Sequence, residues 1–310
     1  MKLYYYIFAN KVSNFGDSLN PWLWEKFIPQ ELDDDERIAF IGIGTLLNDY
    51  LPRRVPQARR YVVFSSGVGY ETQPIPQPDA NWTFYCVRGP LSAEKMGISR
   101  DYAIADGALL LNRVFKSSAA KQYRFSFMPH VEHAMGGNGL LLSAACDRAG
   151  INYIDPRGSI EQILSSIAST ETLLAEAMHG AIAAEALRVP WIPVSSSPRI
   201  LSFKWLDWCS SIKLNYRPAE ISPLVSCYPF QPELEQFNED WLTELQYTDS
   251  PNRELIRKGQ VQLLSEQLLT ITRTFPPNQT QDNHLENLII RLEERLEQFK
   301  KDVKGEKFKE

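Results

Sequence analysis

The chain has 310 residues, of which 44% are apolar and 23% charged, as in a soluble globular protein with a sizeable buried core. At about 150 residues per domain, this length predicts two domains. The formal net charge of −5 argues against binding to nucleic acid and against a general attraction to anionic lipid, because both need a basic surface.

The N-terminal segment Met1–Phe8 is apolar but short, and Asn10 and Lys11 follow it where a signal peptide would have a small-residue cleavage site. We therefore interpret it as a first strand. No stretch of the sequence has the length of a membrane-spanning helix. The cysteines have no Cys-x-x-Cys spacing and are expected to be reduced core residues: Cys86, Cys146, Cys209 and Cys227. Together these features predict a cytoplasmic protein.

The first 120 residues alternate short apolar runs with helical patterns. Strands are predicted at Leu3–Phe8, Arg37–Ile43, Tyr61–Phe64, Trp82–Val87 and Tyr102–Ala105. Such runs are typical of parallel strands that are buried on both faces. Pro21 is expected in the first turn of a helix, and Pro90 and Gly97 are expected to bracket another. The alternation predicts an α/β layer with a parallel sheet.

The pattern restarts after residues 116–122, which have the composition of a linker. Strands are predicted at Phe125–Met128, Ile151–Ile154, Thr172–Ala175 and Val189–Val194. Helices are predicted at Leu140–Ala149, from the cap Ser159 to Ile167, and at His179–Leu187. Two α/β units in tandem predict two Rossmann-like domains, residues 1–120 and 121–228, as in a sugar transferase.

Residues 229–310 are more polar and are predicted to form a helical extension. One helix runs from Pro251 to about Phe275, and a second at His284–Val303 follows a linker at 276–279. In the last helix apolar residues recur at spacings of three and four: Leu285, Leu288, Leu292, Leu296, Phe299 and Val303. This stripe is expected to pack across the body of the protein, with a dimer contact as the alternative; the oligomeric state stays open.

Glycines and polar residues follow the predicted strands, and ligands of open parallel sheets bind outside the carboxyl ends of the strands. In the first half these residues are Asn14, Gly16, Asp17, Gly44, Gly67, Arg88 and Asp106. In the second half they are His130, Arg157, Met178, His179 and Gly180. Glycine at such a junction lets backbone N–H groups approach an anion, although each turn alone is also explained by sterics. Their joint placement predicts an anion site between the two sheets.

Arg88 and His179 are the strongest candidates for chemistry. The planar guanidinium of Arg88 suits a carboxylate or phosphate, and the alternative is a structural ion pair, with Asp106 as the candidate partner. His179 is expected at a helix N-terminus, where the dipole disfavours the imidazolium and suits its pKa to proton transfer. The alternative for His179 is a neutral histidine that caps the helix.

Other polar residues have weaker claims. His130 is a candidate ligand contact, with His133 as the alternative in the same loop. Asp17 and Asp106 are candidates for a base or a ligand anchor, although an aspartate such as Asp17 before a helix is often a cap. No His, Cys, Asp or Glu cluster has metal-ligand spacing, so no metal site is predicted.

The ordered motifs resemble the polysaccharide pyruvyl transferase family: Asn14–Asp17, Gly42–Leu47, Val87–Ser92, Asp106–Ala108 and Met178–Ile182. Ala175–Gly180 and Phe203–Trp208 are similar to its exopolysaccharide, succinoglycan-type branch. The resemblance spans residues 14–208. It implies a fold similar to GT-B glycosyltransferases, phosphoenolpyruvate as donor without a further cofactor, and ketal formation on a sugar.

The resemblance also implies roles for individual residues. Arg88 would bind the donor, His179 would be the essential histidine, and His130 a second donor contact. From the demands of the reaction we further hypothesise that His179 protonates the methylene carbon of the donor. Many members have an arginine where this chain has Ala177, and Arg157 or Arg199 would be its substitute. An acceptor that is a lipid-linked oligosaccharide would place the protein peripherally at the inner face of the membrane. A glycosyltransferase that uses a nucleotide sugar, and a catalytically silent subunit of a polysaccharide assembly complex, stay open as alternatives.

Overall fold

Two parallel β-sheets, one in each half of the chain, form the frame of the fold. The structure is a computed structural model that describes residues 1–8, 11–116, 120–197, 200–222 and 251–308. The first sheet has its four strands in chain order: β1 (Lys2–Tyr4), β2 (Ile38–Ile41), β3 (Arg60–Phe64) and β4 (Trp82–Cys86). The apolar runs of β2 and β3 are buried against helices on both faces, as predicted for parallel strands.

The helices of the first half are α1 (Phe15–Phe27), α2 (Leu51–Arg54), α3 (Pro90–Lys95) and α4 (Leu111–Val114), with 3₁₀ turns at Arg100–Tyr102 and Gly107–Leu110. The prediction of a strand at Tyr102–Ala105 was wrong. Only one bridge forms there, between Val87 and Ala103, because the 3₁₀ turn ends at Tyr102 and Asp106 already caps the next one. Pro21 lies inside α1 rather than in its first turn, and the side chain of Asn20 donates to the carbonyl of Asp17.

The second sheet has the strand order β6-β5-β7-β8-β9, with all neighbours parallel. Its strands are β5 (Tyr123–Met128), β6 (Asn152–Tyr153), β7 (Thr170–Ala175), β8 (Trp191–Ser195) and β9 (Ala219–Glu220). Its helices are α5 (Gly136–Ala149), α6 (Ile160–Ala168), α7 (Met178–Ala186) and α8 (Ser202–Ser211). The predicted cap Ser159 accepts a hydrogen bond from the backbone N–H of Gln162 at 3.4 Å.

Two C-terminal helices pack on different halves of the protein. They are α9 (Pro251–Thr274), which packs on α5, and α10 (Asp282–Lys304), which returns to the first sheet. Phe299 of α10 lies 5.3 Å, between ring centroids, from both Phe40 and Tyr85. Five of the six residues of the predicted stripe are buried and Val303 is partly buried. The α/β class, with two parallel sheets and C-terminal helices, is therefore confirmed and agrees with two Rossmann-like domains.

Direct contacts join the two halves. The backbone N–H of Phe15 donates to the carbonyl of Pro156 at 2.8 Å, and the Trp22 indole donates to Glu161 at 2.7 Å. Three of the cysteines are buried and form no disulfide (Cys86, Cys146 and Cys209), whereas Cys227 lies outside the described residues. Within the described ranges, no helix is long and apolar enough to cross a membrane.

Candidate active site

A cavity of about 130 Å³ lies where the carboxyl ends of the two sheets face each other. Its wall contains seven of the residues predicted from sequence: Asn14, Gly16, Asp17, Gly44, His130, Met178 and His179. Five other predicted residues are not in the wall: Gly67, Arg88, Asp106, Arg157 and Gly180. Both halves of the chain contribute to the wall, as the position of the glycine and histidine turns predicted.

The strand order of the second sheet reverses beside this cavity, because the chain adds β6 on one side of β5 and then β7 on the other side. Strands β5 and β7 are neighbours, with β6 on one side and β8 on the other, so a crevice opens between their carboxyl ends. The carbonyl of Met128 accepts hydrogen bonds from the N–H groups of Glu176 and Ala177, which holds the ends of β5 and β7 together. His130 follows β5 in the chain and His179 follows β7, and both residues line the cavity.

The loop before α1 carries an unusual carboxyl group. Asn14 donates its side-chain amide to Asp17 at 2.6 Å, and both residues line the cavity. Burial raises the pKa of Asp17 to about 7, although Asn14 and the charges of Lys204 and Arg54 act in the opposite direction. A carboxyl with such a pKa can take up or release a proton near neutral pH.

His179 lies in the first turn of α7, and the predicted position at a helix N-terminus is confirmed. A Cβ atom on Gly16 would lie 2.2 Å from Nδ1 of His179, so only glycine leaves room for the ring. Burial, together with the charges of Lys204 and Arg88, lowers the pKa of His179 to about 3. The imidazole is therefore neutral at pH 7, and a bound anion that offsets these cations would raise its pKa.

Asp106 lies behind His179. Its Oδ2 is 3.7 Å from Nε2 of His179, and both atoms are buried without a hydrogen-bond partner. Its Oδ1 accepts from the backbone N–H of Ala108 at 3.0 Å, and burial raises the pKa of Asp106 to about 6. Because Nε2 is turned to this buried carboxyl, Nδ1 is the ring nitrogen left beside Gly16 in the cavity wall.

Lys204 is a cavity residue that the sequence reasoning missed. It lies in α8, its side chain is 7% exposed, and its Nζ donates to the hydroxyl of Tyr70 at 2.8 Å. Its charge lowers the pKa of Asp17, His130 and His179, so it lies near all three. A buried ammonium group whose hydrogen-bond partner is a neutral hydroxyl is well suited to an anionic ligand.

Arg88 does not line the cavity. Its guanidinium is fully buried and donates to Asp207 at 3.0 Å, to Thr45 at 2.8 Å and to the carbonyl of Val68 at 3.0 Å. Arg88 therefore forms the structural ion pair that the sequence left open as an alternative, but the partner of Arg88 is Asp207 and not Asp106. In this conformation Arg88 contacts the cavity wall through its hydrogen bond to Thr45.

His130 and His133 are held by one buried carboxylate. Glu176 accepts from the backbone N–H of His130 at 2.9 Å and contacts Nδ1 of His133 at 2.8 Å. Burial opposes ionisation of Glu176, but the hydrogen bonds from His133 and Ser196 outweigh it and lower its pKa to about 2. His130 lines the cavity, whereas His133 is buried behind it and serves the structure of the loop.

Three predicted residues outside the wall have structural roles. Arg157 is bound to Asp155 at the surface, although its loop carries the Pro156 carbonyl that holds Phe15. A Cβ on Gly67 would lie 2.1 Å from the Arg88 guanidinium carbon, and one on Gly180 would lie 2.7 Å from the Met128 sulfur. Arg199 lies outside the described residues. No group of three His, Cys, Asp or Glu side chains in the described ranges could hold a metal ion.

Comparison with known sequences decides the family. Residues 10–198, well over half of the chain, match the profile of the polysaccharide pyruvyl transferase family. The chain belongs to this family. The match covers the cavity loops from Asn14 to His179.

A relative supports this membership of the polysaccharide pyruvyl transferase family. The succinoglycan biosynthesis protein ExoV of Rhizobium meliloti (strain 1021) is 40% identical over 222 residues, which are 71% of this chain and 68% of the relative. The chain is thus a pyruvyl transferase family member related to a protein of succinoglycan biosynthesis. Ala177 lies in the cavity wall, and so does Lys204.

Proposed function

We propose that this protein transfers the pyruvyl group of phosphoenolpyruvate to two hydroxyls of a sugar in an exopolysaccharide or its lipid-linked precursor. One observation carries the proposal: an imidazole, an ammonium group and a carboxyl meet in one cavity, as His179, Lys204 and Asp17. These are the groups needed to donate a proton, hold an anion and activate a hydroxyl.

Donor binding is assigned to the cationic side of the cavity. Lys204 holds the carboxylate or the phosphate of the donor, and His130 makes a second contact. Asn14, Gly16 and Gly44 lie in the same wall, where amide and backbone N–H groups complete the anion site. Arg88 supports this site indirectly, because it fixes Thr45 and, through Asp207, the helix α8 that carries Lys204.

The reaction follows from this arrangement. His179, whose pKa rises when the anion binds, gives its proton to the methylene carbon of phosphoenolpyruvate. One sugar hydroxyl, deprotonated by Asp17, attacks the neighbouring carbon, and the bond to phosphate breaks. A second hydroxyl then attacks the same carbon and closes the ketal. Of the two hydroxyl protons, one replaces the proton that His179 gave to carbon and the other leaves with phosphate.

The two alternative functions, a glycosyltransferase that uses a nucleotide sugar and a catalytically silent subunit, would need different sites. A nucleotide sugar has a base and a ribose to bind besides its phosphates, whereas His179, Lys204 and Asp17 supply the proton donor, cation and base that a small carboxylate- and phosphate-bearing donor needs. A silent subunit would not need to keep charged groups buried at a cavity. Lys204 supplies a buried cation in a chain that has Ala177 where the resemblance implies an arginine in many members, and this argues for a working site.

The test compares donors. Phosphoenolpyruvate should raise the melting temperature of the protein, and with a glycoside acceptor it should be converted to phosphate and a glycoside that carries the pyruvyl mass increment. Transfer from a nucleotide sugar with no use of phosphoenolpyruvate would establish the glycosyltransferase instead. Neither binding nor turnover of phosphoenolpyruvate would support the silent subunit.

A further inference from the structure

Aromatic side chains cluster at the part of the cavity wall that belongs to the first half. Tyr6, Phe8 and Tyr50 all line the cavity and are half-buried. The guanidinium carbon of Arg54 lies 4.9 Å from the Tyr6 ring centroid and 5.4 Å from that of Tyr50. Tyr6 and Phe8 meet edge to face at 5.1 Å. These four residues, the Arg54 cluster, form a surface of three rings beside the Arg54 guanidinium, and the guanidinium carbon of Arg53 also lies 5.6 Å from the Tyr50 ring centroid.

Asp17 lies in the same cavity wall as the Arg54 cluster and Lys204. The charge of Lys204 acts on His130, His179 and Asp17, whereas the charge of Arg54 acts on Asp17 and on Tyr4. A ligand that lay on the Arg54 cluster would have its edge at Asp17 and face a donor held by Lys204.

A sugar ring has the chemistry that this surface recognises. One face of a pyranose carries C–H groups and packs on an aromatic ring, while its hydroxyls stay at the edge for polar partners. The nucleophilic hydroxyl must lie within hydrogen-bond reach of the base that deprotonates it. The hydroxyl of Tyr50, bound to Thr72 at 2.7 Å, holds its ring in place.

We infer that the Arg54 cluster is the acceptor subsite, where Tyr6 and Tyr50 bind the apolar face of a sugar ring and direct its hydroxyls to Asp17. This inference rests on the proposed function and names the part of the site that takes the acceptor. Its substrate class is a pyranoside with two free hydroxyls close enough to share one ketal carbon.

The kinetic test removes the rings one at a time, with methyl β-D-glucopyranoside and methyl β-D-galactopyranoside as acceptors. Tyr6→Ala and Tyr50→Ala should each raise the acceptor KM about 3- to 10-fold, the size of one aromatic contact, and leave the donor KM unchanged. Tyr50→Phe, which keeps the ring, should retain a low acceptor KM. Tyr123→Ala is the matched control, since Tyr123 is exposed and outside the cavity wall. An unchanged acceptor KM, or an equal rise of the donor KM, would overturn the inference.

A binding measurement keeps this test separate from the proposed function. If the wild-type protein forms no product, the proposed function fails, but the subsite can still be examined by saturation-transfer NMR with the same two glycosides. Transfer to the ring protons in the wild-type protein and its loss in Tyr50→Ala would support the subsite. No transfer to either glycoside in the wild-type protein would overturn it.

Discussion

Arg88 and Asp207 form a fully buried ion pair between the first half of the chain and helix α8, with Nε 3.0 Å from Oδ2. The other carboxylate oxygen of Asp207 accepts from the backbone N–H of Ser92 at 2.9 Å. A Cβ on Gly89 would lie 2.2 Å from the Asp207 carbonyl oxygen, so this glycine is needed for the close contact. The pair fixes α8, and with it Lys204, against the loops of the first sheet.

Asp207→Asn tests this structural role. It leaves the Arg88 charge buried without its counter-charge and should lower the free energy of unfolding by about 3–5 kcal/mol. Urea denaturation of the whole protein measures it. The control is Asp155→Asn, which breaks an exposed pair with Arg157 and should cost less than about 1 kcal/mol. Equal losses in the two variants would contradict the assignment.

Lys204→Met tests the anion contact. The substitution removes the ammonium group but keeps an unbranched side chain, so the donor KM should rise about 10- to 100-fold, the size of a hydrogen bond to a charged group. Initial rates at varied phosphoenolpyruvate and fixed acceptor measure it. Lys95→Met, at an exposed lysine of α3, should leave the donor KM as it is. A rise confined to the acceptor KM would place Lys204 elsewhere in the site.

Gly16→Ala tests the position of His179 without removing its imidazole. The new methyl group would lie 2.2 Å from Nδ1, so the ring must move, and a displacement of about 1 Å should lower turnover about 10²-fold. Steady-state phosphate release measures the loss. Gly137→Ala is the control, because a Cβ there meets no atom within 4 Å. Wild-type turnover in Gly16→Ala would show that the reaction does not depend on this ring position.

The pH dependence of kcat, measured with saturating phosphoenolpyruvate, tests Asp17 as the base. Its pKa is raised from 3.8 to about 7, so the carboxyl is neutral below that pH and becomes an active base above it. We expect kcat to rise with pH as Asp17 ionises, because the bound anion keeps His179 protonated in the complex and kcat reports the groups of that complex. This rise should be absent in Asp17→Asn, whose activity should be low throughout. A rise that persists in the variant belongs to another group or to the donor itself.

The raised pKa of Asp17 also affects the free energy of unfolding. Because the folded-state pKa of Asp17 lies above its unfolded value, the protonated carboxyl stabilises the fold at low pH and this contribution is lost as pH rises through about 7. Asp17→Asn should therefore be more resistant to urea than the wild-type protein above pH 7. Lower stability of the variant at that pH would show that the charged carboxylate is better compensated than its burial indicates.

The sheet frame was predictable because each buried strand is a short apolar run that ends at glycine or a polar residue. His179 was predictable for the same reason, since it follows such a run and begins an apolar helix. Tyr102–Ala105 shows where this reasoning fails. A short apolar run of four residues can be buried either as a strand or, as here, as the end of a 3₁₀ turn followed by one bridge. The sequence alone does not distinguish these two structures.

The charged residues of the site were harder to predict because their partners are distant in the chain. The guanidinium of Arg88 is chemically suited to bind an anionic ligand. In the fold it is paired instead with Asp207, which lies 119 residues later in the chain and is not recognisable as its partner from the sequence. Lys204 lies in an amphipathic helix directly after Phe203, and no neighbouring residue in the sequence indicates that its side chain is buried. Its place at the cavity depends on how α8 docks onto the first half, which is a tertiary property.

Transfer of the pyruvyl group is measured by following both products of one reaction. The protein is incubated with isotope-labelled phosphoenolpyruvate and a methyl glycoside, and the glycoside is examined by mass spectrometry while phosphate is counted. We predict a labelled glycoside that carries a pyruvyl ketal, one phosphate released for each ketal, and a roughly 10²–10⁴-fold lower rate for His179→Ala. Phosphate release without a labelled glycoside would show that the pyruvyl group is not transferred to the sugar, and an unchanged rate in His179→Ala would show that His179 is not the proton donor.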